Sequence, residues 1–128
     1  MIKYISFDLD GTVADNSFDE IIWRKRIPEL YAREKNVTVD RAFETVTTEY
    51  ARLYGKEPRW RDIAFWFEHF GLQADWQKIV QEEEKNIIVY ADVEPVLREL
   101  HHRYKVIVIS HADRKFMEPK LKICKVTN

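Results

Sequence analysis

Glycine and proline are scarce in this chain of 128 residues, three and four in number, and cysteine occurs once. Such a composition excludes collagen-like and low-complexity architectures. A lone Cys124 cannot close an intrachain disulfide, so the chain does not read as a secreted, cross-linked scaffold and a cytoplasmic location is expected. An excess of one charge is also lacking: 21 Lys and Arg stand against 22 Asp and Glu. The longest basic run is Arg24-Lys25-Arg26, which argues against a general nucleic-acid binder. Long apolar runs are missing as well. The stretch Ile2 to Phe7 is interrupted by Lys3 and closed by Asp8, too short for a signal segment or a membrane span, so no membrane role is expected. What remains is 45% hydrophobic and 13% aromatic, enough for a folded core of one domain or of a small core with an insertion.

Residues Lys3 to Phe7 are β-branched and aromatic and run into Asp8-Leu9-Asp10-Gly11-Thr12, which predicts a strand ending in an acidic loop. From about Asn16 to Asn86 the pattern is helical, broken at Gly55 with Pro58 and at Gly71. Trp60, Ile63, Ala64, Phe67 and Phe70 recur on one helix face, widened by Phe65 and Trp66, as expected for packing between helices. Asp75 can cap a further helix that ends in Glu82-Glu83-Glu84, read as a solvated face. Asp92 can cap a helix with apolar positions Val93, Val96, Leu97 and Leu100. Tyr104 to Ile109 then reads as a parallel-sheet strand covered on both faces. Asp113 can cap a last helix through Phe116, Met117, Leu121 and Cys124, with Pro119 interrupting it or delaying its start. The order strand, helical insertion, helix, strand, helix predicts an α/β fold with a core of 1–15 and 88–128 and a helical accessory region of 16–87.

The first candidate site is the loop Asp8 to Thr12, at the carboxyl end of the first strand, where ligands bind in open α/β sheets. Gly11 lets two carboxylates approach one reacting centre from different directions. Asp8 can attack phosphorus to form an aspartyl-phosphate, while Asp10 protonates the leaving oxygen and later activates water. Backbone N–H groups at Gly11 and the Thr12 hydroxyl can hold phosphoryl oxygens. The competing reading is an acidic surface turn whose aspartates cap backbone groups. Ser110 ends the second strand and can donate to a phosphoryl oxygen if the strands are neighbours, although a Ser there is more often a turn or cap residue.

With Asp8-x-Asp10-Gly11-Thr12 after a strand and Ser110 ending the next core strand, the sequence resembles the haloacid dehalogenase superfamily. Val93 to Leu100 looks like that family's helix before its second motif, and the helical stretch resembles its inserted cap. The resemblance implies a partial Rossmann-like parallel-sheet core, with Asp8 as nucleophile and Mg²⁺ ligand. It further implies Asp10 as acid/base with its carbonyl on the metal, and Thr12 and Ser110 as phosphate contacts. A carboxylate at Asp10 favours the phosphatase and phosphotransferase members, acting on small phosphorylated substrates.

The family pattern continues to a Lys and a further acidic motif, whereas this sequence stops at Asn128. The expectation is therefore a member shortened after its second motif, with a weak Mg²⁺ site and an incomplete core covered by homo-oligomerisation. Lys115, Lys120, Lys122 and Lys125 are read as solvated surface, and Asp113 as an N-cap in preference to a metal ligand. Four scattered histidines show no ligand spacing. Two further readings stand beside the phosphohydrolase: an impaired remnant serving as a binding module, and a phosphotransferase built on the same residues.

Overall fold

The computed structural model describes residues 1–124. It divides into two compact units, one of Met1–Phe18 together with the chain from Glu84 onward, the other Asp19–Glu83.

The first unit is α/β. Strands β1 (Tyr4–Phe7) and β2 (Lys105–Val108) pair in parallel, with Tyr4 opposite Lys105 and Phe7 opposite Val108. Hydrogen bonds from the Lys105 N–H to the Lys3 carbonyl and from the Ile109 N–H to the Phe7 carbonyl extend the ladder at both ends. Helix α6 (Val93–His101) leads into β2 and lays Val93 and Leu97 against Leu9, Val13 and Val106. Each such apolar side chain contributes about 1.5–3 kcal/mol on burial. Helix α7 (Arg114–Ile123) adds Met117 and Leu121 to the same cluster.

Three expectations fail here for physical reasons. Asp92 accepts no capping hydrogen bond, because its backbone is already helical (φ −83°, ψ −11°), so its carboxylate cannot turn back onto the first turn of α6. Pro119 lies inside α7 without breaking it. A proline removes one helical hydrogen bond, and Phe116 and Lys120, both buried and four residues apart, hold the helix across that gap. Among the described residues the sheet is covered on one face only: Phe7 and Val106 turn inward, whereas Tyr4, Ile107 and Ile109 are 56%, 41% and 64% exposed.

The second unit is helical. Its first helix runs on from α1 (Ser17–Ile21) through a π-helical segment, Ile22–Arg26, into α2 (Ile27–Lys35). The helix stops at Asn36, which takes the left-handed conformation (φ 54°, ψ 49°), and Thr38 then caps α3 (Val39–Leu53) by accepting the Arg41 N–H. Asp62 caps α4 (Ile63–His69), and Gly71 ends it with a positive φ of 59°. The Asp75 carboxylate accepts the Gln77 N–H at the start of α5 (Trp76–Glu83), and a 3₁₀ turn at Glu84–Asn86 follows.

The aromatic face packs between these helices as the sequence predicts. Trp66, 1% exposed, lies 4.7 Å from the Tyr50 ring and stacks on Phe70 at 5.4 Å. Its indole N–H donates to the Trp60 carbonyl at 2.7 Å. The acidic run is a correction: Glu83 is 6% exposed and pairs with Arg26, which also bonds Glu82 at 2.7 Å. Position 83 continues the stripe of Ile79 and Val80, so its burial follows from helical spacing. Among the described residues no helix is long and apolar enough to cross a membrane.

Candidate active site

Parallel pairing of β1 and β2 brings Asp8 and Ser110 to the same end of the sheet, the carboxyl end, because each follows its strand by one or two residues. The chain turns sharply there. The N–H groups of Thr12, Val13 and Ala14 all point at the Leu9 carbonyl, at 3.3, 2.9 and 3.1 Å, and Gly11 takes a φ of +76° that a side chain would strain. Leu9 and Val13, at 0% and 2% exposure, anchor this turn in the core and leave Asp8, Gly11 and Thr12 at the surface. The Gly11 N–H donates to the Ala14 carbonyl at 2.7 Å, so what Gly11 supplies in this structure is the turn itself.

Asp8 is exposed, and its Oδ1 accepts the N–H of Leu9 at 2.8 Å, which fixes the carboxylate at the strand end. The Ser110 Oγ accepts the Ala112 N–H at 3.0 Å in a local turn. That bond uses a lone pair and leaves the hydroxyl proton available to an acceptor. Thr12 borders a small cleft with Phe7, Asp92, Val93 and Leu97, mainly apolar, on the α6 side of the turn.

Asp10 meets a partner that the sequence reading assigned to the surface. The Lys120 ammonium bonds the Asp10 Oδ1, and Lys120 is 0% exposed. Its position follows from α7: the apolar stripe of Phe116, Met117, Leu121 and Cys124 runs straight through residue 120 at helical spacing. The Phe18 ring lies 5.5 Å from the ammonium and meets Phe116 edge to face at 5.5 Å. An aromatic face attracts a desolvated cation, which offsets part of the cost of burial. That stripe is the signal by which Lys120 differs from Lys115, half-buried beside Asp113, and from the exposed Lys122. Lys125 lies outside the described residues.

Asp113 accepts the Lys115 N–H at 2.8 Å and caps α7, as expected. His69 bonds Glu49 at 2.8 Å in the helical unit, and His101, His102 and His111 are exposed. No group of three or more His, Cys, Asp or Glu that could hold a metal occurs among the described residues. The donors at Asp8 and Asp10 are hard oxygens, a set that suits Mg²⁺, which commonly takes one or two carboxylates and completes its shell with waters and phosphate oxygens.

A family model, haloacid dehalogenase-like hydrolase, matches residues 2–127. The GMP/IMP nucleotidases YrfG of Escherichia coli (strain K12) and Shigella flexneri are each 30% identical over 71 residues, covering 56% of this chain and 32% of theirs. The crystal structure of a HAD phosphatase from Thermococcus onnurineus matches with a TM-score of 0.79 over 98% of this chain and 58% of that one, at 22% identity. This structural likeness shows the fold. The aligned part spans about a third of the length of the curated relatives.

Proposed function

Because the chain belongs to the haloacid dehalogenase-like hydrolase family, we propose that it works as a Mg²⁺-dependent phosphohydrolase on phosphate monoesters of small molecules, through an aspartyl-phosphate on Asp8. The observation that carries this reading is the placement of Asp8 and Ser110 at one sheet end, with Asp10 in the same turn held by a buried ammonium. The Asp8 carboxylate attacks phosphorus, the bond to the ester oxygen breaks, and Asp10, which enters this step as the carboxylic acid, gives that oxygen its proton. Asp10 then takes a proton from water as the water attacks the aspartyl-phosphate, releasing inorganic phosphate and restoring Asp8. The hydroxyls of Thr12 and Ser110 donate to the phosphoryl oxygens, presented by the turn that Gly11 permits. Lys120 fixes the Asp10 carboxylate and places a positive charge beside the reacting group.

The Asp8 carboxylate and the Asp10 carbonyl would hold Mg²⁺, which when bound neutralises charge on the phosphoryl oxygens. The helical unit Asp19–Glu83, inserted between the two segments of the α/β unit, serves in this proposal as a cap that selects the substrate. The relatives named as GMP/IMP nucleotidases make nucleoside monophosphates the first substrates to try. A reducing, cytoplasmic setting agrees with the single cysteine.

The test is hydrolysis of a generic aryl phosphate with and without Mg²⁺, wild type beside Asp8→Asn. Turnover that needs Mg²⁺ and falls at least about a thousandfold in Asp8→Asn is expected. Equal turnover by the two proteins, or none by a folded wild type, sinks the proposal.

A further inference from the structure

The cleft beside the Asp8 turn lies wholly within the α/β unit and offers about 170 Å³. Phe7, Val93, Val96 and Leu97 form its apolar wall; Val93 and Leu97 are buried, whereas Val96 stands 43% exposed at the mouth. Two polar side chains border it. Thr12, whose hydroxyl is proposed to hold a phosphoryl oxygen, comes from the turn, and Asp92 comes from the start of α6. Because the Asp92 backbone is already helical, its carboxylate is not used as a helix cap, and among the described residues it forms no hydrogen bond or ion pair. It is an open acceptor beside an apolar wall.

A carboxylate accepts hydrogen bonds and donates none, so its complement is a donor, and a cationic donor is the strongest. A purely apolar occupant leaves Asp92 desolvated without a partner, and a bare phosphate leaves the apolar wall uncovered. A space of about 150 Å³ holds a benzene-sized body, so this cleft takes a short chain and is too small for a nucleoside. We infer that the cleft receives the alcohol part of the substrate, and that this part is a short amino alcohol. The phosphate sits at Thr12, the carbon chain lies along the apolar wall, and the ammonium donates to Asp92. The inference rests on the phosphohydrolase reading and places part of the substrate selection within the α/β unit itself.

Calorimetric titration of the full wild-type chain in Mg²⁺ with 4-aminobutylphosphonate, and in parallel with pentylphosphonate, tests it. These ligands cannot be hydrolysed and differ only by an ammonium in place of a terminal methyl. The amine is expected to bind at least about fivefold more tightly. Asp92→Asn, which keeps the shape of the side chain, should bring the two within about twofold of each other. Val96→Phe, which puts a ring at the exposed mouth, should weaken both at least about fivefold. Equal affinities in wild type, no detectable binding of either ligand, an amine preference that survives Asp92→Asn, or full binding by Val96→Phe overturns the inference. Aryl phosphate turnover is read separately on wild type, so a subsite failing beside intact turnover leaves the phosphohydrolase standing. Amine binding that depends on Asp92 beside absent turnover keeps the subsite and removes the hydrolase.

Discussion

Each of the two units has its own internal means of cohesion. The helical unit closes on rings: Trp66 is in contact with Tyr50, Phe65, His69 and Phe70, and the buried Glu83 is tied to Arg26 of the preceding π-helical segment. The α/β unit closes on a few aliphatic side chains under one sheet face, and its buried charge, Lys120, is turned toward a surface loop. In the first, polar groups serve the packing. In the second, the packing of Phe18 and Phe116 serves a polar group. The buried ammonium aimed at Asp10 is the reason that this carboxylate stands beside Asp8 in the proposed chemistry.

The sharpest way to break this contrast is to remove one core side chain from each unit. Trp66→Ala should cost about 4 kcal/mol, and Leu97→Ala about 2–3 kcal/mol, since ring contacts and the indole hydrogen bond go together in the first. Urea unfolding followed in the aromatic circular dichroism measures both. Equal losses would mean that the ring cluster adds nothing beyond its area.

The buried charges give the next comparison. Lys120→Met preserves the length of the side chain and its contact with Phe18, and Asp10, with a side chain 28% exposed, still reaches water. Its stability should therefore hold or rise, while turnover falls about a hundredfold. Arg26→Met should do the reverse to stability, lowering it by about 2 kcal/mol, because Glu83 stays in the core after losing its guanidinium partner. Thermal melts beside aryl phosphate kinetics distinguish the two. Lys120→Met melting early with normal turnover would make that pair a structural tie like the other.

A smaller effect separates capping from metal binding at Asp113. Asp113→Ala should lower stability by about 1 kcal/mol through loss of the bond to the Lys115 N–H. Its Mg²⁺ dependence should match wild type. A raised Mg²⁺ requirement would add Asp113 to the ligand set.

Where local pattern decides structure, the sequence was readable. The β-branched run before Asp8, the Asp75 and Asp113 caps, and the glycine that ends α4 each carry their cause within a few residues. The two misread charges share a cause in tertiary packing. Lys120 and Glu83 looked like surface charges because Lys and Glu usually are, although both sit on apolar stripes four residues from buried neighbours. The break at Asn36 was hidden because Asn is a weaker mark of a left-handed cap than Gly. The π-helical segment Ile22–Arg26 follows no pattern that spacing displays. For the candidate site, Asp8, Asp10, Gly11, Thr12 and Ser110 came from sequence, while the cation beside Asp10 needed the fold.

The mildest test concerns a charge pair that lies at the surface of the helical unit. Hydrogen bonds from Arg52, with a further one from His69, hold the Glu49 carboxyl down to about 2 against the opposing effect of partial burial. A carboxyl that is more acidic folded than unfolded stabilises the fold fully above its ordinary value of 4.5, and this contribution is lost as pH falls toward about 2. Glu49→Gln should therefore be slightly less stable than wild type at neutral pH. The two should converge as the pH is lowered from about 4.5 to about 2. Since Arg52 is well exposed, salt should shrink the neutral-pH difference. Urea midpoints of both proteins at pH 7, with and without added salt, and through the acid range measure it. A difference that persists unchanged in acid would assign the effect of Glu49 to packing against His69, and would make this surface cluster part of the ring core.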